Sequence, residues 1–139
     1  MVVSRFNPMV TERLLESARA TLLAAGVAEE DLDVVSVPGA WEIVAAVRRA
    51  AEAGYDGIVA LGCVVRGETA HFDQICASVT RGLTSLALSQ DTPIAFGVLT
   101  TETLAQAIAR AGGQVGDLGA EAALAALEMC DLLRQLGGS

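Results

Sequence analysis

DGIVALGCVVRGETAHFD, residues 56–73, decides how this chain folds. Residues 56–65 form an apolar run without the strict alternation of a half-exposed strand, so they read as a strand covered on both faces. Gly67 then breaks the run, and a helical pattern begins near Ala70, carrying the chain's single histidine, His71. A buried strand passing through a glycine turn into a helix is half of a β–α–β unit.

The same pattern recurs outward from this stretch. Short apolar runs at Met1–Ser4, 31–37 and 93–99 read as three further strands. Helical patterns fill the gaps at 9–25, 41–53, about 70–89, the short ETLAQAIARAGG and the final GAEAALAALEMCDLLRQL. In the first of these, Val10, Leu14, Ala18 and Leu22 make one apolar stripe, which Gly26 terminates. Four strands alternating with helices predict a parallel sheet with helices on both faces. The whole chain, 1–139, is expected to be one domain. Its first strand is brief or cut short, and residues 137–139 read as a tail.

Composition narrows the function. A net charge of −8 argues against nucleic acid or an anionic membrane as the main partner. All nine cationic side chains are arginine, so any anion site must be a local arrangement of guanidinium and backbone N–H groups. Cys63, Cys76 and Cys130 are scattered without a CxxC pair, which disfavours a disulfide framework or a zinc site. The apolar runs are too short to span a bilayer, and no signal-peptide pattern opens the chain. The cytoplasm is the expected compartment.

In a parallel sheet ligands bind beyond the carboxyl ends of the strands, which directs attention to SRFNP, SVPGAWE, CVVRGETAH and LTTET. Gly67 permits close backbone approach, and Thr69 offers a hydroxyl beside a helix start, a ready anion site. Thr69 equally suits a helix cap, with Asp73 favourable in the first turn. His71 suits proton transfer, or is merely exposed. Phe6 and Trp41 stand in two ligand-face loops and could hold a flat heterocycle; Trp41 also serves as the first apolar residue of its helix. Asn7-Pro8 reads as N-cap and N1, and Glu42 as a first-turn charge or a ligand acceptor. Arg110 is either an anion clamp or a cation at a helix C-terminus, and Arg5 and Arg66 are similarly open.

Taken together, SRFN, VPGAWEI, GCVVRGETAHFD, PIAFGVLTTET, ARAGG and GAEAALAALEM, in this order, resemble the 6,7-dimethyl-8-ribityllumazine synthase family from about Val2 to Leu133. The resemblance implies a three-layer α/β/α, flavodoxin-like fold with a four-stranded parallel sheet. It implies condensation of 5-amino-6-(D-ribitylamino)uracil with 3,4-dihydroxy-2-butanone 4-phosphate to the lumazine, phosphate and water, with no metal or organic cofactor. By resemblance Phe6 stacks on the pyrimidine, while Ala40, Trp41, Glu42, Cys63, Val64 and Val65 line the pyrimidine and ribityl pocket. Glu68 and Thr69 hold the phosphate, and His71 moves protons. Phe96 and Arg110 match residues that reach in from the adjacent subunit, Arg110 meeting the phosphate. The family forms pentamers with sites between subunits, and in many members twelve pentamers close into an icosahedral shell.

This sequence departs from the family pattern at three places. Residues that usually precede VVSRFN are not in it, Val44 replaces a proline at a helix start, and Asp117-Leu118 stands where Asn-Lys is usual. The loss of that lysine removes a cation near anionic substrates, and Asp117 adds an opposing charge. A second reading therefore stands beside the enzyme: a structural or engineered oligomer that keeps the fold with impaired catalysis. A receiver-type signalling domain of the same fold would need clustered acids and a lysine at the strand ends, and these loops offer neither.

Overall fold

The structure, a computed structural model, describes residues 1–137; Gly138 and Ser139 of the expected tail lie outside the described residues. Its elements run β1 Val2–Ser4, α1 Pro8–Ala24, β2 Val35–Val37, α2 Ala40–Glu52, β3 Ile58–Val65, α3 His71–Ser89, β4 Ile94–Thr101, α4 Leu104–Arg110 and α5 Leu118–Gln135. The four strands form one parallel sheet in the order β2-β1-β3-β4. This is the three-layer α/β/α, flavodoxin-like arrangement.

β3 shows why the residues choose this fold. Val59, Leu61 and Cys63 point to one face, where they pack with Val10, Leu14, Ala18 and Leu22 of α1 and Ala122, Ala123 and Ala126 of α5. Ile58 and Ala60 point to the other, against Ile43 and Val47 of α2 and Val79 and Leu83 of α3. Both faces are buried, so the strand has no polar alternation to display. Fully burying a side chain such as Leu14, Ile43 or Leu61 stabilises the fold by about 1.5–3 kcal/mol each, before entropy is counted.

Glycine sets the closest approaches. A Cβ on Gly119 would lie 2.4 Å from the Leu14 carbonyl oxygen, so α5 can press onto α1 there only without a side chain. Val44 occupies the equivalent intimacy between α2 and α3: a Cβ on Gly82 would meet its two methyl carbons at 2.8 Å. The valine at this family-proline position thus fills the gap opened by Gly82.

Two segments differ from their sequence expectation. β2 is three residues, not the seven of 31–37, because Glu29–Asp31 turns as a 3₁₀ helix and β1 offers only Val2–Ser4 as a partner. β4 runs on to Thr101 in unbroken register with β3, so part of LTTET is strand.

Candidate active site

The connections after β1 and β3 leave on opposite sides of the sheet order, and such a switch point opens a crevice at the carboxyl ends of parallel strands. A pocket of about 560 Å³ lies at this end. Phe6 follows β1, Gly39, Ala40, Trp41 and Glu42 follow β2, and Cys63, Val64, Val65, Gly67, Thr69 and His71 follow or end β3. Phe72 and Ile75 complete it from α3.

The backbone at these loops is arranged for the pocket. Asn7 sits in the left-handed region at φ 58°. Its side chain does not cap α1, as the sequence suggested, but donates to the Cys63 carbonyl at 3.1 Å and so ties the β1 loop to β3. Gly39 and Ala70, the N-caps of α2 and α3, supply no side-chain cap either. By contrast α4 has a full Thr103–Gln106 capping box, and Asp117 accepts from the Ala120 N–H at the start of α5. The N-cap residues of the helices that begin around the pocket thus supply no side-chain acceptor of their own, and among the described residues the one first-turn N–H taken by a neighbouring side chain is that of His71, by Thr69.

Thr69 stands between its two readings. Its hydroxyl accepts the His71 N–H at 3.3 Å, while the residue itself lines the pocket. Phe6 and Trp41 are 68% and 61% exposed, which leaves both ring faces open to a flat ligand. Cys63 is the opposite: buried in the floor, its thiol is pushed up to about 11, so at neutral pH it is a packing group and not a nucleophile.

Nine of the sequence-derived site residues meet here: Phe6, Ala40, Trp41, Glu42, Cys63, Val64, Val65, Thr69 and His71. Glu68, Phe96 and Arg110 do not line the pocket. Phe96 is half-exposed on the edge strand β4, and Arg110 donates to the Gln106 carbonyl at 2.9 Å in the last turn of α4. Sequence reasoning missed Phe72 and Ile75 as lining residues, although Ile75 is four positions after His71 and three after Phe72, the spacings that make helix neighbours.

Among the described residues no arginine lines the pocket. Arg5 donates to Ser36 at 3.3–3.4 Å, and Arg66 pairs with Asp73 and Glu102. Also among the described residues, no group of three or more His, Cys, Asp or Glu is placed to hold a metal ion, and no helix is long and apolar enough to cross a membrane.

A family model for 6,7-dimethyl-8-ribityllumazine synthase matches residues 1–134 of the 139. The chain belongs to that family. Lumazine synthases are transferases of riboflavin biosynthesis acting on small molecules, and the chain is an enzyme of this class. Family membership also gives Asp117-Leu118 a structural account. Asp117 caps α5 and takes a hydrogen bond from Ser17, while Leu118 packs on the α1/α5 core. At the position of the family's usual lysine, Leu118 is half-buried against the core.

Proposed function

We propose that the chain condenses 5-amino-6-(D-ribitylamino)uracil with 3,4-dihydroxy-2-butanone 4-phosphate, giving 6,7-dimethyl-8-ribityllumazine, inorganic phosphate and water. The observation that carries this reading is the pocket itself: two open aromatic faces, one carboxylate, one imidazole and uncovered helix N-termini share a single crevice. Phe6 and Trp41 take the pyrimidine ring, Glu42 accepts from its N–H or hydroxyl groups, and Cys63–Val65 line the ribityl arm. Gly67, Glu68 and Thr69 meet the phosphate through backbone N–H groups and the threonine hydroxyl.

The ring amine adds to the ketone and water leaves to give an imine; phosphate departs, and ring closure releases a second water. Binding both reactants in one pocket replaces a bimolecular encounter with a unimolecular one. His71, at the mouth of α3, carries protons between the amine, the carbinol and the leaving groups.

A phosphate in this pocket needs a cation that the pocket's own chain does not supply. This favours a homo-oligomer in which Arg110 and Phe96 of a neighbouring copy complete the site, as in a pentamer, with a shell of pentamers as the larger form. Exposed apolar side chains support contact between copies: Leu88 is 85% and Val115 63% exposed. The second reading, a structural oligomer with impaired catalysis, draws on Leu118, half-buried against the core where the family usually has a lysine. Mixing the two substrates with the protein and following lumazine absorbance tests the proposal. A rate above the spontaneous one is expected; the spontaneous rate alone would select the structural oligomer.

A further inference from the structure

Arg66 lies one residue before Gly67, outside the pocket lining, yet it ties the end of β3 to two other elements at once. Its Nε donates to Glu102 Oε2 at 2.6 Å, and Nη1 and Nη2 reach the two Asp73 oxygens at 3.4 and 3.2 Å. The guanidinium carbon stands 4.5 Å over the centre of the Phe72 ring. Its backbone N–H donates to the Thr101 carbonyl at 2.9 Å. The bonds to Glu102 and then Asp73 raise its pKa further above the ordinary arginine value.

Phe72 and Asp73 belong to the first turn of α3, and Glu102 follows β4. Residues 67–70, between the two ends of this tie, are all exposed. Within the loop the hydrogen bonds are short-range, from the His71 N–H to Thr69 and from the Gln74 N–H to the Ala70 carbonyl. No residue of the loop itself is buried; the Arg66–Asp73 pair closes it, and Glu102 and the buried Phe72 fix where the closure sits. A loop already closed loses less entropy when a ligand orders it, so the closure converts into affinity. The fork geometry matters, because a lysine ammonium cannot face two carboxylates and lie flat on a ring.

We propose that Arg66 is a positioning residue: held by Glu102, Asp73 and Phe72, it presets the 67–70 backbone and His71 for the phosphate-bearing substrate without touching that substrate. The inference rests on the reading of this loop as the phosphate site.

The test is steady-state kinetics of wild type, Arg66→Ala, Arg66→Lys, Asp73→Asn and Glu102→Gln, with the KM of each substrate resolved, and calorimetric binding of inorganic phosphate. Arg66→Ala is expected to raise the KM of the phosphate-bearing substrate, and the Kd of inorganic phosphate, by about five- to tenfold, the joint worth of two exposed ion pairs. The KM of the pyrimidine substrate should move less than about twofold, and Arg66→Lys should recover part of the loss. Unchanged phosphate KM and Kd, with only the melting temperature lowered, would reduce Arg66 to a structural role and overturn the inference while leaving the proposed reaction standing. A wild type that forms no lumazine and binds no phosphate would overturn the proposed reaction and the inference together. Should Arg66→Ala fail to fold, Asp73→Asn and Glu102→Gln each remove one tie; both are expected to raise the phosphate KM about two- to threefold, and no change in either would be equally fatal.

Discussion

At the amino ends of the strands lies a second cavity, of about 730 Å³ against the roughly 560 Å³ pocket at the carboxyl ends. Asp31, Asp33, Asp56 and Asp131 line it above an apolar floor of Leu22, Val59 and Ala126. Arg134 stands opposite, 3.8 Å from Asp56. Tyr55 donates to Asp33, and that bond raises the phenol's pKa. Ala25, Gly54 and Arg134 mark where α1, α2 and α5 finish, so carbonyl groups and the negative ends of helix dipoles gather here. The smaller pocket gathers helix starts, aromatic faces and a histidine. Volume therefore does not distinguish the two ends chemically. Chain direction does, because a parallel sheet gathers helix starts at one end and the carbonyl ends of its helices at the other.

The contrast can be broken by mutation. His71→Ala should slow turnover by about a hundredfold without abolishing it, since proximity survives the loss of the proton carrier; a kcat equal to wild type would remove His71 from the mechanism. Arg110→Ala should raise the KM for the phosphate-bearing substrate by about tenfold, the worth of one charge-assisted hydrogen bond, with a smaller change in kcat. An unchanged KM would mean that no neighbouring guanidinium serves the pocket.

Two smaller effects sharpen the comparison. Cys63 titrates at about 11 in the fold against an ordinary 9.0, so above pH 9 the unfolded chain sheds a proton that the folded chain keeps. Its contribution to stability is thus complete below about pH 9 and is lost as pH rises towards about 11. Urea midpoints on either side of that window should show the fall, and Cys63→Ala should flatten it. At the opposite end, Asp33→Asn should leave kcat and both KM values unchanged and shift stability by no more than about 0.5 kcal/mol. Any kinetic effect there would show that the amino-end cavity communicates with the reaction.

Much of this was legible in the sequence, for identifiable reasons. A strand buried on both faces must be apolar throughout, so 56–65 announced itself, and the glycine turn after it marked the ligand-bearing end. What stayed hidden depended on partners distant in sequence. The shortness of β2 follows from how little of β1 it can pair with. Asn7 reads as a cap in any local view, because its true acceptor, the Cys63 carbonyl, lies 56 residues away. Arg66 was ambiguous since one of its carboxylates, Glu102, arrives from another strand. Phe72 and Ile75 carried no signal of their own, because apolar residues of α3 serve both the interior and the pocket.

The N-cap residues of α1, α2 and α3 supply no side-chain cap of their own, and on the proposed reading this couples the fold to its ligand. The first-turn backbone donors that remain are served less well by water than by an anion. Whatever anion settles there binds the native chain and has no counterpart in the unfolded one. By mass action it stabilises the native state, by about 2.7 kcal/mol at a concentration one hundred times its dissociation constant. On the proposed reaction, substrate is then also a folding ligand, and the protein is at its most durable while it is at work.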